Sequence, residues 1–171
     1  NRNGAGQIVA AGALDALDKL AAEPPAGARV RPLQVAGAFH THYMTTAEQA
    51  LKAYAAELRP SDPRRILLSN ADGSAVTTGP ELIARLVRQV TLPVRWDLCL
   101  ATCRDLAVTA AIELPPSGAL AGIAKRELKG VELLAIKSPA DLAAARELID
   151  SSQHAQGERT VGARIHSGGD A

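Results

Sequence analysis

Aromatic side chains are scarce in this sequence of 171 residues. There are only four of them, Phe39, Tyr43, Tyr54 and Trp96. A protein that binds single-stranded nucleic acid by stacking needs several aromatic rings along one groove, so this class is disfavoured. The hydrophobic core must therefore be built from leucine, isoleucine, valine and alanine.

The sequence is also poor in cysteine, in long apolar runs and in net charge. Two cysteines cannot make a disulfide framework or a cysteine metal site, and they favour a reducing, cytoplasmic setting. No apolar run reaches the roughly 20 residues of a membrane-spanning helix. The 19 Lys and Arg residues balance the 18 Asp and Glu residues, so no net field attracts nucleic acid or an acidic membrane. We expect neither as a partner.

Short apolar runs alternate with segments of helical periodicity. Continuous apolar runs predict buried strands over 7–12, 66–68, 108–112 and 131–136, and an irregular edge strand over 29–35. Helices are expected after the first of these strands, from Met44 to Leu58, over 82–90, over 96–106, around Lys125, and after Ser138 as N-cap. This alternation predicts an α/β protein with a largely parallel, covered sheet.

The two ends of the chain differ from this pattern. The chain begins at Asn1 rather than Met and enters an apolar run almost at once, which predicts that preceding polypeptide is missing. Residues 151–171 lose the periodicity and are rich in glycine, serine, glutamine and charge. Such a composition predicts a disordered tail.

His40 is the first candidate for chemistry. It follows a strand-like run and a Gly-Ala turn and precedes a helix, which is where ligand-binding residues gather in parallel α/β sheets. Imidazole titrates near neutral pH and suits proton transfer. The same position also fits a surface or helix-capping histidine. His42 could join His40 in a metal site, but no third ligand follows at a recognisable spacing, so metal binding is the weaker hypothesis.

Several segments together resemble a known family. They are VAGAFHTHYM (Val35–Met44), LLSNADG (Leu67–Gly73), LVRQVTLPVRW (Leu86–Trp96) and IELPPSGALAGIAKRELKG (Ile112–Gly130). In this order they resemble the C-terminal part of malonyl-CoA:acyl carrier protein transacylases, and the opening NRNGAGQIVAAG is similar to a strand of the small subdomain in those enzymes. The resemblance covers about residues 1–150.

The resemblance implies an architecture. The family fold is an α/β-hydrolase-like acyltransferase domain with an inserted ferredoxin-like subdomain. Residues 1–36 would be part of the small subdomain, and residues 37–150 would be the C-terminal part of the large one. Because the partner strands would be missing, we expect uncovered sheet edges and apolar faces on this chain.

The resemblance also implies malonyl transfer in fatty acid biosynthesis. A serine in a GHSxGE elbow would attack malonyl-CoA, and the phosphopantetheine thiol of acyl carrier protein would then remove the malonyl group; no separate cofactor is needed. His40 matches the family's catalytic histidine, the general base, and the backbone carbonyl of Gln89 would orient its ring. Without the resemblance, Gln89 is simply a polar residue at a helix end.

Three further residues match substrate-binding positions of the family. Phe39 would lie beside the acyl pocket, where a bulky ring favours malonyl groups over branched ones; it could equally fill the core. Asn1 and Asn3 match a loop near the pantetheine arm.

The sequence departs from the family where the nucleophile should be. None of its serines sits in a Gly-x-Ser-x-Gly context, and the glutamine of the oxyanion hole and the arginine that pairs with the malonyl carboxylate are absent. The loop Pro115-Pro116-Ser117 also replaces the usual Gly-Pro-Gly. We therefore expect the chain alone to be inactive without the missing N-terminal part of the same enzyme. Two alternatives are an acyltransferase segment of a polyketide or fatty acid synthase, and a catalytically silent binding module of the same fold.

Overall fold

A computed structural model of the protein describes residues 1–152. These residues form two compact units, one spanning Asn1–Thr102 and one beginning at Cys103. The first unit contains β1 (Arg2–Gly4), β2 (Gln7–Ile8), α1 (Leu14–Ala22), a 3-10 turn (His42–Met44), α2 (Thr45–Ala55), β3 (Leu67–Leu68), β4 (Ala75–Val76), α3 (Gly79–Gln89) and most of α4 (Trp96–Asp105). The second contains β5 (Ala110–Glu113), α5 (Ala119–Glu127), β6 (Glu132–Ala135), a 3-10 turn (Pro139–Asp141) and α6 (142–152).

The strands of the described residues pair two by two. β1 and β2 are antiparallel, β3 and β4 are antiparallel, and β5 and β6 are parallel, with Ala110 opposite Glu132. The expected largely parallel sheet is therefore wrong, since only one of the three pairs is parallel. Short turns join the strands within the other two pairs, and strands connected in this way can pair only antiparallel.

Two predicted strands also differ. Within 7–12 only Gln7 and Ile8 are extended. Ile8 is 70% exposed rather than buried, because β1 is its only strand neighbour within residues 1–152. The segment 29–35 forms no strand. Pro32 lies in its middle and has no N–H to give to a ladder.

The strands expected at 66–68, 108–112 and 131–136 are present with bounds shifted by one or two residues, as β3, β5 and β6. The helix expected from Met44 to Leu58 is α2, which begins one residue later and ends at Ala55. Two residues of the expected tail over 151–171 belong to α6, and the rest of that segment lies outside the described residues.

Helix α3 carries the candidate residue Gln89 at its last position. Thr78 precedes the helix and its Oγ1 accepts a hydrogen bond from the Glu81 N–H at 3.3 Å, with Pro80 in the first turn. This is the capping chemistry that opens a helix. Val87 and Gln89 are buried near the C-terminus of α3, so the end of the helix that carries Gln89 is held by packing.

Arg85 fastens the β3–β4 hairpin to α3. Its guanidinium donates to both carboxylate oxygens of Asp72, at 2.9 and 3.0 Å, and to Glu81 at 2.9 Å. Hydrogen bonds from Ser74, and then from Arg85, lower the pKa of Asp72. The turn of the hairpin is thereby held against the helix by an ion pair and by side-chain hydrogen bonds.

Gly73 in the same hairpin turn has to be a glycine. Its φ is +73°, and a Cβ atom at this position would lie 2.5 Å from the carbonyl carbon of Leu98. Both the left-handed backbone and the close approach of α4 exclude a side chain here. The turn therefore packs directly on the helix backbone.

Glu113 caps α5 in the second unit. Its carboxylate accepts hydrogen bonds from the N–H groups of Gly118 (2.7 Å), Leu120 (2.9 Å) and Ala121 (2.9 Å). Burial opposes ionisation of this carboxyl, but the three N–H donors outweigh it and the pKa of Glu113 is lowered. The loop that carries Pro115-Pro116-Ser117 is thus closed by hydrogen bonds from the start of α5 to Glu113, the last residue of β5.

The expected helix start at Ser138 is confirmed. The Asp141 carboxylate accepts hydrogen bonds from the N–H groups of Lys137 (2.9 Å) and Ser138 (2.8 Å), which forms one half of a capping box.

Over the part of the chain that is described, no helix combines the length and the apolar character needed to cross a membrane.

Candidate functional site

His40 lies in the turn that leads into α2, in a strained backbone conformation. Its φ is +61°, a left-handed value that residues other than glycine rarely adopt. Such a conformation costs on the order of 1–3 kcal/mol and is found mostly where function requires it. Thr41 closes the turn, since its hydroxyl donates to the Ala38 carbonyl at 2.6 Å and accepts from the Tyr43 N–H at 3.3 Å. The surrounding bonds hold the strained residue in place.

The structure brings His40 and Gln89 together. The ring Nδ1 of His40 lies 2.7 Å from the backbone carbonyl oxygen of Gln89. Because a carbonyl oxygen can only accept, Nδ1 carries the proton, and in the neutral ring Nε2 keeps a free lone pair. A second hydrogen bond runs from the His40 N–H to the Val90 carbonyl at 3.2 Å. The ring is thus oriented as a proton acceptor through Nε2.

The side chain of Gln89 is buried beneath this contact. Gln89 is only 7% exposed, and its Nε2 donates to the carbonyls of Leu92 (2.9 Å) and Pro93 (3.1 Å). Its Oε1 is buried without a hydrogen-bond partner among the described residues. The amide therefore satisfies two backbone acceptors in the loop that follows α3.

A third hydrogen bond joins the two segments that carry His40 and Gln89. The hydroxyl of Thr91 donates to Oε2 of Glu48, in α2, at 2.5 Å. The sequence does not link the two residues, because they are 43 positions apart. Thr91 lies in the family-like segment Leu86–Trp96, but Glu48 lies in none of the quoted segments. Only the fold shows that they help to hold the site together.

Asn1 and Asn3 make their side-chain contacts in different places. Oδ1 of Asn1 accepts a hydrogen bond from the Val94 N–H at 3.0 Å, and the neighbouring Arg2 N–H donates to the Val94 carbonyl at 2.9 Å. Asn3 donates to Oε1 of Gln7 at 3.0 Å, within the β1–β2 hairpin. Asn1 therefore supports the loop after Gln89, whereas the contact of Asn3 stays local. Substrate binding by either residue stays a prediction.

Phe39 precedes the strained histidine and is 49% exposed. A Cβ atom at Gly37 would lie 3.9 Å from the Phe39 ring, so one side of the ring lies close to Gly37. Half of the ring remains open, which disfavours a purely core role within the described residues.

No group of three or more histidine, cysteine, aspartate and glutamate residues suited to a metal ion occurs among residues 1–152.

Comparison with known proteins shows which family the chain resembles. No protein-family model matches the chain. The chain is 60% identical over 142 residues to the malonyl CoA-acyl carrier protein transacylase of Mycobacterium tuberculosis, an alignment that covers 83% of this chain and 47% of that protein. For the Mycolicibacterium smegmatis transacylase the identity is 58% over 146 residues, covering 83% and 50%. Over this matched portion, the chain is similar to about half the length of the malonyl CoA-acyl carrier protein transacylases.

The fold agrees with this assignment. The crystal structure of the M. tuberculosis transacylase, called MCAT, matches with a TM-score of 0.80 at 60% identity, over 82% of this chain and 47% of that one. A malonyl-transacylase solved in complex with a type II polyketide synthase acyl-carrier protein matches with a TM-score of 0.63 at 26% identity, over 68% and 38%. The predicted resemblance and the α/β acyltransferase fold are confirmed. The chain spans about half the length of the curated transacylases it matches.

Proposed function

We propose that this chain contributes the general base and one wall of the acyl pocket to a malonyl CoA-acyl carrier protein transacylase. The observation that carries the proposal is the 2.7 Å contact between Nδ1 of His40 and the Gln89 carbonyl oxygen. It leaves Nε2 as the ring's free acceptor, which is the property that a base paired with a serine needs. The similarity to transacylases supplies the expected reaction.

In the first half-reaction, His40 Nε2 takes the proton of a serine hydroxyl contributed by the half of the transacylase that this chain does not span. The serine oxygen attacks the thioester carbonyl of malonyl-CoA and forms a tetrahedral intermediate. Its collapse breaks the carbon–sulfur bond and leaves a malonyl-serine ester. The imidazolium returns its proton to the departing coenzyme A sulfur.

In the second half-reaction, the phosphopantetheine thiol of acyl carrier protein gives its proton to His40 Nε2. The sulfur attacks the malonyl-serine ester, the new thioester forms, and the serine oxygen leaves with the proton from the imidazolium. A neutral carbonyl stabilises the imidazolium less than an aspartate would. This is sufficient because the thiol is easily deprotonated: its thiolate leaves in the first half-reaction and attacks in the second.

Phe39, Asn1 and Asn3 are the proposed substrate-binding residues. The half-open ring of Phe39 lies directly before the base, where it would contact the acyl group and exclude a methyl branch. Asn1 supports the loop after Gln89 through Val94, and we place it and Asn3 near the pantetheine arm because they match that loop of the family.

The chain's exposed apolar surface supports a larger assembly. Leu14 is 80% exposed, Ile66 68% and Leu114 71%, and each sheet of the described residues has only two strands. Monomeric proteins rarely leave such surface and such edges uncovered. We propose that the remaining half of the transacylase covers them, with residues 1–36 completing a ferredoxin-like subdomain and residues 37–150 completing the α/β-hydrolase-like one.

Acyl carrier protein and malonyl-CoA are the proposed partner and substrate. The names of the related transacylases, and the solved complex of one malonyl-transacylase with an acyl-carrier protein, support both. A cytoplasmic setting, expected from the low cysteine count, belongs to the same proposal.

The test uses a chimera in which residues 1–152 replace the matched half of the M. tuberculosis transacylase. Radiolabelled malonyl-CoA should transfer its malonyl group to acyl carrier protein through a labelled chimera, and the 171-residue chain alone should take up no label. His40→Asn should abolish transfer, and asparagine tolerates the left-handed backbone of this position. A folded chimera without activity would support the silent binding module, and a His40→Asn variant with normal turnover would remove His40 from its role.

A further inference from the structure

We propose that the side-chain amide of Gln89 is a positioning residue for the base, a role separate from that of its backbone carbonyl. This inference rests on the proposed function of His40. One residue would then act twice: its carbonyl holds the imidazole, and its amide holds the backbone that carries the carbonyl.

The end of α3 explains why such a device is needed. The last carbonyls of a helix lack partners within the helix and are free to turn toward other donors. Here the Arg88 carbonyl accepts from the N–H groups of Thr91 (3.2 Å) and Leu92 (3.1 Å), while the carbonyls of Gln89 and Val90 receive Nδ1 and the N–H of His40. The direction of the Gln89 carbonyl therefore depends on how the chain continues after the helix.

The amide of Gln89 fixes that continuation. Its two N–H groups meet the Leu92 and Pro93 carbonyls at 2.9 and 3.1 Å, so the loop is folded back onto the residue that starts it. Because Gln89 is only 7% exposed, water cannot easily replace these bonds. Because Oε1 has no partner among the described residues, the contribution of the side chain resides in Nε2.

The far side of the loop is held independently. Val94 is bonded on both its N–H and its carbonyl, to the Asn1 side chain (3.0 Å) and to the Arg2 N–H (2.9 Å), and the Arg95 N–H donates to the Asn70 carbonyl at 2.7 Å. The loop is thus a fixed support, and the Gln89 amide is the link between this support and the carbonyl that His40 uses.

The chemical consequence concerns the tautomer of the ring. When the Gln89 carbonyl is in place, the proton sits on Nδ1 and Nε2 is available to the serine. If the carbonyl drifts, Nδ1 loses its acceptor, the Nε2–H tautomer becomes populated, and the ring is free to turn. Both changes lower the fraction of enzyme that can accept a proton, while substrate binding is untouched.

The experiment compares variants of the chimera described above. Gln89→Met keeps the length and burial of the side chain but donates nothing, and Gln89→Glu replaces the donor by an oxygen that faces two carbonyls. Arg88→Met on the exposed neighbouring position is the matched control. For Gln89→Met we expect kcat to fall about 10- to 100-fold, as for a small misplacement of a catalytic group, with an unchanged KM for malonyl-CoA. Nitrogen-15 spectra of Gln89→Met should show a mixture of the two His40 tautomers in place of one. Arg88→Met should change neither kcat nor the tautomer of His40.

Three outcomes would overturn the inference. The first is a Gln89→Met variant with normal kcat, and the second is a loss of kcat without a change in the ring tautomer, because Gln89 would then act on stability alone. If Gln89→Met does not fold, Gln89→Asn replaces it, because its shorter amide cannot reach both carbonyls. This variant must show the same mixture of His40 tautomers. The third contradicting outcome is a Gln89→Asn variant in which the tautomer of the His40 ring is unchanged. Failure of the proposed function is seen separately, as normal turnover of His40→Asn.

Discussion

Thr91 donates its hydroxyl hydrogen bond to Glu48, and this contact ties the helix after His40 to the segment after Gln89. With the two bonds made by His40 itself, to the carbonyls of Gln89 and Val90, it makes a three-point connection across the site. The position of His40 is therefore fixed by contacts on both chain segments and not by its ring alone.

Replacing Thr91 by valine should loosen this connection. The substitution keeps the shape of the side chain but removes the donor, and the half-buried Glu48 carboxylate loses a partner, so we expect a loss of about 1–2 kcal/mol in the free energy of unfolding. Urea unfolding of the chimera measures it. Thr77→Val, at an exposed position, is the control. Equal midpoints for the two variants would show that the Thr91–Glu48 bond contributes nothing.

Phe39→Ala should relax the choice of acyl group. Removing the half-open ring makes room for a methyl branch, and a single methylene group in a pocket is worth about 10- to 200-fold in discrimination. We therefore expect the ratio of kcat/KM for malonyl-CoA over methylmalonyl-CoA to fall by about 10-fold or more. Tyr54→Ala, which removes an exposed ring from α2, should leave the ratio as it is. A ratio preserved in Phe39→Ala would place Phe39 outside the acyl pocket.

Glu113→Gln should make the second unit less stable in a manner that depends on pH. Folding lowers the pKa of Glu113, so the folded protein favours the ionised carboxylate. The resulting stabilisation is fully present above the pKa of the unfolded chain and is lost as the pH falls through the lower pKa of the folded state.

We expect Glu113→Gln to cost about 1 kcal/mol at pH 7, as for other helix caps, and progressively less toward about pH 3. Thermal unfolding of wild type and variant across this range measures the difference. Glu132→Gln, on an exposed residue of β6, is the control. A difference that stays constant with pH would mean that the carboxylate charge does not stabilise the cap.

Local signals in the sequence predicted the helices well. α3 and α4 have their apolar positions at helical spacing, and Pro80 and Asp141 mark helix starts by chemistry that acts within one turn. Strand partners depend on residues far away in the chain. The segment 7–12 looked buried because it is apolar, yet Ile8 has only β1 beside it in the described residues.

The candidate site was predicted only in part. The pairing of His40 with the Gln89 carbonyl came from resemblance, since nothing in the composition or periodicity links two residues 49 positions apart. A similar separation, of 43 positions, explains why the sequence did not link Glu48 with Thr91. The donor role of the Gln89 amide depends on the path of the loop after α3, which follows from tertiary contacts at Val94 and Arg95.

The group behind the imidazole of His40 is a main-chain carbonyl, which has a dipole but no net charge. A carboxylate in its place would add a fixed negative charge behind the ring, and two like charges about 4 Å apart repel by roughly 1 kcal/mol in water and about four times as much near a protein surface. Under the proposed function, the uncharged carbonyl orients the ring without adding a negative charge on the side from which an anionic acyl donor would be repelled.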